Sequence, residues 1–289
     1  MTMTLSRRDL AQRALQRSIE VRRQAKVGIN GAVDPFELCA RLGVKVQFVD
    51  VSMEGFYRPG RKPRILLSAL RPLVRRVYNC GHELGHWAFS HGSTLDVLLE
   101  GCARDFQPEE FLVDTFAGFL LMPPHGVRRA FVRRGWKPAT ATPEQLYTIA
   151  CAFGVGYETF LEHCARSLEI LPMPRLETLL KQPVRKVREL VLAQSTPEPL
   201  LIVDAFWELP TVDVEIGTLV LLPEGCAVDG AQLELVPHAT GRLYRPTMTG
   251  IGRIEDPHRP WAAFVRVTRF QYVGFSTNRH LEDDNHDDD

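Results

Sequence analysis

The sequence has no excess of either charge, no long apolar run and no closely paired cysteines. Lys plus Arg and Asp plus Glu each number 35, so the net charge indicates neither an acidic nor a basic partner. No stretch reaches about 18 uninterrupted apolar residues, which argues against a membrane-spanning helix. The six cysteines form neither a CxxC pair nor a disulfide framework. Because the first residues also lack the apolar run of a signal peptide, we expect a cytoplasmic protein with no membrane partner.

What the sequence does contain is typical of a globular protein. Hydrophobic residues make up 45% and charged residues 24% of the 289 residues, which is enough chain for two domains. The hydrophobic period changes from helical to alternating near residue 197. The predicted fold class is therefore α+β. We expect a mainly helical domain with a small β-sheet at 1–125, a helical segment with a helix-turn-helix outline at 126–195, a β-rich domain at 196–278 and a disordered acidic tail at 279–289.

Capping signals and chain breaks mark the elements of the first domain. Ser6 with Asp9 has the pattern of a capping box, and Asp34 before Pro35 begins a second helix. The predicted elements are helices at 6–25 and 35–42, strands at 44–49, about 53–57 and 64–68, and helices at 72–91 and 108–122. The last of these helices is apolar nearly all round, which predicts burial on every side. We expect the strand at 64–68 to be an exposed sheet edge that could hold an extended peptide by β-augmentation.

The residues that can carry chemistry are concentrated in His82-Glu83-Leu84-Gly85-His86, inside the helix predicted at 72–91. Two histidines four apart lie on one helix face, so both imidazoles can reach one ion. Zinc accepts two imidazoles and a carboxylate and leaves a position for water, and Glu83 is placed to take a proton from that water. The same ligands accept manganese or iron. We predict His82 and His86 as metal ligands and Glu83 as the catalytic base, with no other cofactor.

A carboxylate pair on the next helix offers the third ligand. Glu110 and Asp114 are four apart and face the same way. Asp114 lies in an apolar run, where an unpaired charge is costly, and a metal-bound histidine needs an acceptor for its second nitrogen. We predict Glu110 as the third ligand and Asp114 as the residue that orients a histidine. Asp114 and Glu109 are alternatives for the ligand, and both glutamates could instead favour the helix N-terminus.

Two glycines lie within the predicted metal helix. Gly81 and Gly85 are four apart, and each costs about 1 kcal/mol in a helix interior. We expect them to form a smooth face on which another backbone approaches closely.

Five other residues are weaker candidates. His91 follows the motif by five residues and lies either at the surface or behind a ligand. Cys80 is on a different helix face from the histidines, and we expect it in the core. Tyr57, Arg76 and His125 could stabilise a tetrahedral oxyanion, and the sequence does not choose among them.

The chain resembles the ImmA/IrrE family of metallopeptidases in three stretches. They are residues 31–46, beginning Gly-Ala-Val-Asp-Pro-Phe-Glu-Leu-Cys, residues 76–86, Arg-Val-Tyr-Asn-Cys-Gly-His-Glu-Leu-Gly-His, and residues 116–123, Phe-Ala-Gly-Phe-Leu-Leu-Met-Pro. Their order and spacing fit over roughly residues 30–165, and the segment at 142–164 is similar to the family's usual continuation. The added β-rich domain resembles the layout of the longer IrrE proteins, whose C-terminal domain is GAF-like.

The resemblance implies a gluzincin-like zinc peptidase in a bacterial cytoplasm. It further implies that the substrate is a helix-turn-helix transcriptional repressor, whose cleavage releases genes for DNA-damage or stress responses such as radiation resistance. The family commonly has Asn where this chain has Asp114, and often a second acid where this chain has Leu112. Both departures concern the third ligand and not the histidines.

A second hypothesis is a DNA-binding regulator whose metal site is structural or vestigial. It draws on the helix-turn-helix outline, the basic helix at 7–26 and a basic group formed by Arg128, Arg129, Arg133, Arg134 and Lys137. Against it, the second helix of the outline carries Glu158, Glu162 and His163. A helix that enters the major groove usually presents Arg, Lys, Asn or Gln. We therefore favour the protease, and the sequence leaves the oligomeric state and the role of the β-rich domain open.

Overall fold

The computed structural model describes residues 6–92, 94–95, 107–239, 242–258 and 260–281. The chain divides into two compact units, one formed by Met1–Gly126 with Phe275–Thr277 and the other by Val127–Gly274 with Asn278–Asp289. Helices and three small mixed sheets make the fold class α+β, as predicted. Within the described residues, no helix has both the length and the apolar character needed to cross a membrane.

Two helices of the first unit begin at the predicted side-chain caps Ser6 and Asp34, and two begin at or next to the predicted Pro72 and Pro108. They are α1 (Arg7–Gln24), α2 (Pro35–Arg41), α3 (Leu73–Ala88) and α4 (Pro108–Leu121), and α5 (Pro124–Arg133) begins at the end of this unit. Ser6 and Asp9 form the predicted capping box, and the Asp34 side chain accepts hydrogen bonds from the first turn of α2. Helix α3 ends at Ala88, short of the predicted end at residue 91.

A five-stranded mixed sheet packs beside these helices. Its strands are β1 (Lys45–Val49), β2 (Gly55–Arg58), β3 (Arg64–Ser68), β4 (Thr94–Leu95) and β13 (Gly274–Phe275), in the order β13-β1-β3-β2-β4. The prediction that residues 64–68 form an exposed edge is wrong. Strand β3 pairs in parallel with β1 and antiparallel with β2, so both of its sides are hydrogen-bonded. A short apolar run shows that a strand is buried, but it carries no information on the number of its neighbours.

Helix α4 is the centre of the first unit's core. Leu112, Val113, Phe116 and Leu120 are buried, but Asp114 is exposed, so the predicted burial of this helix on every side is wrong. The buried Arg22 of α1 donates hydrogen bonds to the carbonyl of Leu120, and to carbonyls of the loop that follows α1. Desolvation lowers the pKa of this guanidinium to about 10. Arg22 thereby supplies a cationic donor to one of the last carbonyls of α4, which have no partner within the helix.

The helices of the second unit include the predicted helix-turn-helix outline. Thr142 and Gln145 form the expected capping box at the start of α6 (Pro143–Ala152), and α7 (Tyr157–Glu162) follows after a short turn. Helix α7 continues into a π-helical turn at His163–Ser167. Helices α8 (Met173–Leu180) and α9 (Val184–Leu192) complete this part of the chain.

Two four-stranded mixed sheets form the rest of the second unit. The first contains β5 (Leu200–Ile202), β7 (Leu219–Leu221), β9 (Leu233–Leu235) and β10 (Leu243–Pro246), in the order β5-β7-β10-β9. The second contains β6 (Thr211–Glu215), β8 (Ala227–Asp229), β11 (Gly250–Asp256) and β12 (Trp261–Thr268), in the order β6-β12-β11-β8. One buried cluster joins them and includes Val212, Val214, Val220, Leu233, Ile254, Val265 and Val267.

The ordered chain extends past the predicted start of the tail. Arg279 is buried and donates a hydrogen bond to the Asp213 carboxylate, which also accepts two from Arg266. A disordered tail beginning at residue 279 is therefore wrong for 279–281. Residues 282–289 lie outside the described residues.

Candidate metal centre

Helix α3 brings the two predicted histidine ligands together. His82 and His86 are one turn apart, and their Nε2 atoms lie 3.2 Å from each other. Both residues are buried. Their common face follows directly from the four-residue spacing of the sequence.

Helix α4 brings the carboxylate of Glu110 to the same point. Its Oε2 lies 3.4 Å from His82 Nε2, and its Oε1 lies 3.8 Å from His86 Nε2. One ligand atom from each of the three residues lies within 4.8 Å of the others. Glu109, the alternative in the same turn, is exposed and does not belong to this cluster.

The close approach of α3 and α4 depends on the predicted glycine face. A Cβ atom at Gly85 would lie 2.9 Å from Val113 Cβ, and one at Gly81 would lie 3.4 Å from Ala117 Cβ. The absence of a side chain at Gly85 therefore admits the Val113 and Phe116 side chains of α4, whereas a Cβ at Gly81 would make only ordinary contact with Ala117. A larger residue at Gly85 would push α4 outward and move Glu110 away from the histidines.

The geometry of the cluster fits a tetrahedral metal ion. Two nitrogen atoms held about 2.0–2.1 Å from one tetrahedral ion lie about 3.3 Å apart, close to the separation of the two histidine Nε2 atoms. His82 Nδ1 lies 2.9 Å from an oxygen of Asp114, a carboxylate that accepts hydrogen bonds. The proton of this imidazole therefore belongs on Nδ1, and Nε2 presents its lone pair to Glu110. A cation between such groups converts their mutual repulsion into attraction.

The Asp114 side chain that contacts His82 is exposed to solvent and does not lie in the core. Its side chain is 55% exposed, although its neighbours Val113 and Phe116 are buried. The sequence argument that burial forces Asp114 to find a partner is therefore wrong, while the expected contact with a metal-site histidine is present. In a helix the residues of an apolar run point in different directions, and Asp114 points along the edge of α4 toward α3. Tyr78 Oη also donates to the backbone carbonyl of Asp114 at 3.2 Å.

His91 makes the corresponding contact with His86. The two Nδ1 atoms lie 3.1 Å apart, so one ring donates and the other accepts. The His91 ring stacks on Phe89, which packs edge-on against Phe116 of α4. Its backbone nitrogen donates to the His86 carbonyl at 2.9 Å. Of the two alternatives open in the sequence, the position behind a ligand is therefore the one observed.

Glu83 points from α3 toward the sheet. The residue is buried, and its carboxylate packs against Gly55 at the start of β2. Sequence reasoning missed Gly55, and the only available signal was a glycine at the first position of a predicted strand, which often marks close backbone approach.

The remaining candidates have other surroundings. Arg76 is buried with its guanidinium 4.9 Å from the centre of the Phe48 ring. Tyr57 is buried on β2, where desolvation raises the pKa of its hydroxyl. His125 is exposed near the start of α5. Cys80 is in the core, as expected, with its Sγ 3.7 Å from that of Cys39.

Comparison with known proteins agrees with the site. Residues 39–164 match the family model described as the IrrE N-terminal-like domain, peptidase M78. No curated protein matches the sequence. The matched range contains α3, α4 and all three residues of the cluster. The ImmA/IrrE resemblance seen in the sequence is thus confirmed over residues 39–164, which match an IrrE N-terminal-like domain.

Proposed function

We propose that this protein is a zinc-dependent endopeptidase with a gluzincin-like site. His82, His86 and Glu110 would hold the ion, and Glu83 would act as the general base. The observation that carries the proposal is the convergence of three ligand atoms within 4.8 Å. It is supported by Asp114 and His91, which lie behind the two histidines at hydrogen-bonding distance.

Glu83 and Asp114 would have separate roles in peptide hydrolysis at this site. Zinc, when bound, supplies a Lewis acid that polarises the scissile carbonyl and lowers the pKa of water toward about 7. Glu83 would accept a proton from the attacking water as its oxygen bonds to the carbonyl carbon. The same carboxyl would then deliver this proton to the departing amide nitrogen, so that the C–N bond breaks to give an amine and a carboxylate. Asp114 would keep the Nδ1 proton on His82 and so keep Nε2 available as a ligand.

The proposed substrate is a helix-turn-helix transcriptional repressor. Support comes from the match of residues 39–164 to the IrrE N-terminal-like domain. The ImmA/IrrE resemblance implies cleavage of such a repressor in a bacterial DNA-damage or stress response. Loss of the repressor would release its target genes. The two packed sheets of the second unit would then be a GAF-like domain for sensing or for holding the substrate. Manganese or iron could replace zinc, since two histidines and a glutamate accept either ion.

Ion pairs formed by the basic residues of α5 argue against the alternative of a DNA-binding regulator. Three of the five residues in the basic group of α5 and its vicinity are ion-paired. Arg129 and Arg133 contact Glu208, and both oxygens of Asp204 accept from Arg134. These acids would have to be displaced before the arginines could reach phosphate groups. Helix α7 also presents the exposed Glu158, which would repel the DNA backbone.

A cleavage assay with defined metal content tests the proposal. The full-length protein, stripped of metal or reloaded with zinc, manganese or iron, would be incubated with candidate repressors, and fragments would be identified by mass spectrometry. We expect one cleavage site in one repressor, only with metal bound. Glu83→Gln should bind metal normally and cleave on the order of 10²- to 10⁴-fold more slowly. Zinc-loaded protein that cuts no candidate, or Glu83→Gln that cuts at the normal rate, would contradict the mechanism.

A further inference from the structure

Three residues of α3 form a row that faces the start of β2. Arg75, Asn79 and Glu83 follow one another at intervals of four, so they lie along a single face of the helix. The first two hold Glu54, and the third packs against Gly55. Arg75 and Asn79 share the helix face of His82 and His86, whereas Glu83 lies to one side of that face, and the row links the proposed base to the sheet.

Glu54 fixes the start of β2 to α3 through several contacts. Asn79 Nδ2 donates to the Glu54 carbonyl at 2.9 Å and to its Oε2 at 2.8 Å. Arg75 Nε donates to the same Oε2 at 2.8 Å, and Arg71 Nε lies 3.2 Å from Oε1. Asn79 is buried, and the Glu54 side chain is only 17% exposed. These contacts hold both the side chain and the backbone of Glu54 at the helix, one turn before Glu83.

Gly55 consequently packs so closely against the carboxylate of Glu83 that no side chain fits between them. A Cβ atom at residue 55 would lie 2.5 Å from Glu83 Oε1, 2.8 Å from its Cγ and 3.0 Å from its Cδ. No alanine could occupy this position without moving the glutamate or the strand. The strand is held on its other side by its antiparallel pairing with β3, in which Gly55 lies opposite Leu67. The glutamate is therefore the part that would move.

We propose that Gly55 is a positioning residue for Glu83, with Glu54 holding the glycine in place. The backbone of β2 forms a wall that confines the carboxylate to one side of α3. The absence of a side chain at residue 55 sets how far the carboxylate lies from the histidines. This inference rests on the proposed function for its catalytic meaning, but its structural content can be tested separately.

The first test is a crystal structure of the full-length Gly55→Ala variant. We expect the Glu83 carboxylate to shift by about 1 Å or more, with His82, His86 and Glu110 in place. Zinc affinity should stay within about threefold of wild type, well short of the ten- to hundredfold loss caused by disturbing a ligand's support. Gly28→Ala is the matched control, because a Cβ there has no atom within 4 Å. A Glu83 carboxylate that stays in place would overturn the proposal.

The second test is a double-mutant cycle with Glu83→Asp, which retracts the carboxylate by one methylene. In the wild-type background, Gly55→Ala should lower kcat on the order of 10²-fold with KM little changed, since misplacement by about 1 Å costs that much. In the Glu83→Asp background, the same change should cost only about twofold. Equal losses in both backgrounds would show that the methyl group disturbs something other than Glu83.

If Gly55→Ala fails to fold, thermal stability becomes the measurement that tests the proposal. Adding Glu83→Asp should then restore the thermal transition, because the shorter side chain relieves the overlap. A double variant as unfolded as the single one would refute the assignment. If the wild-type protein cuts no repressor, the proposed function fails while the crystal structures and thermal transitions still decide the role of Gly55.

Discussion

Asp114 contacts His82 Nδ1 at 2.9 Å through a carboxylate whose side chain is 55% exposed. A solvent-facing residue thus contacts a buried histidine that we propose as a metal ligand. Because its charge is already hydrated, replacing it should leave little stability penalty and should act mainly on the metal site. Asp114→Ala should weaken zinc binding ten- to hundredfold, measured by competition with a chromophoric chelator. Asp114→Asn, which keeps an acceptor oxygen, should lose less.

The control for this prediction is the thermal transition of the metal-free proteins, in which both Asp114 variants should resemble wild type. An unchanged zinc affinity in Asp114→Ala would show that His82 is oriented by other contacts.

Replacing His91 should also weaken zinc binding, but through His86 and independently of Asp114. His91→Phe keeps a ring that can stack on Phe89 and removes the Nδ1 contact, so zinc affinity should fall about tenfold or more. His91→Ala removes both contacts and should lose at least as much. Wild-type affinity in His91→Phe would assign the residue a packing role only.

Glu110 and Glu109 form a matched pair for testing the third ligand. Both are in the first turn of α4, but only Glu110 reaches the histidines. Glu110→Ala should abolish stoichiometric zinc binding under conditions that saturate wild type, since two histidines alone leave the site a ligand short. Glu109→Ala should bind one zinc per chain, as measured by atomic emission. Equal zinc content in the two variants would identify a different third ligand.

Glu54 should make stability depend on pH. Burial alone would raise the pKa of this carboxyl, but hydrogen bonds from Arg75 and Asn79 and the nearby arginine charges outweigh it and lower the pKa below its ordinary value of 4.5. Because the folded-state pKa is the lower one, the stabilisation is present above about pH 4.5 and is lost as pH falls through the folded value. Glu54→Gln should cost about 1.5–3 kcal/mol at pH 7, measured by urea unfolding.

The difference between wild type and Glu54→Gln should shrink as pH falls below about 4.5 and the wild-type carboxyl gains its proton. Glu177→Gln, at an exposed position inside α8, is the control, and its free energy of unfolding should stay close to that of wild type across this pH range. A difference that is constant from pH 7 to pH 3 would mean that the ionised form of Glu54 contributes nothing.

Spacing within single helices predicted which side chains of the candidate metal cluster share a helix face. The intervals His82 to His86 and Glu110 to Asp114 each place two side chains on one face, and a helix keeps that relation in any tertiary setting. Gly81 and Gly85 predicted that another backbone would approach α3, but they did not identify α4 as that partner. Local signals also located α1 and α2 through Ser6 and Asp34.

Relations between distant elements could not be predicted in this way. Strand β3 lies between β1 and β2, and this pairing is set by segments outside β3. The local sequence around Leu67 would be the same in an edge strand or in a central strand. The exposure of Asp114 depends on the tilt of α4 against α3, so an apolar sequence context misjudged it. The contact between Gly55 and Glu83 joins a strand to a helix across 28 positions, and no period or motif connects them.

The hydrogen bonds from Arg22 to the Leu120 carbonyl show that the folded unit around the site extends beyond the residues that match the family model. Helix α1 precedes residue 39, where that match begins, yet it covers α4, the helix that carries Glu110. A fragment cut to 39–164 would expose apolar surface on α4 and leave one of its terminal carbonyls without this donor. Residues 6–38 therefore belong to the same folded unit as the helices that carry the proposed ligands, and truncations meant to isolate that unit should retain them.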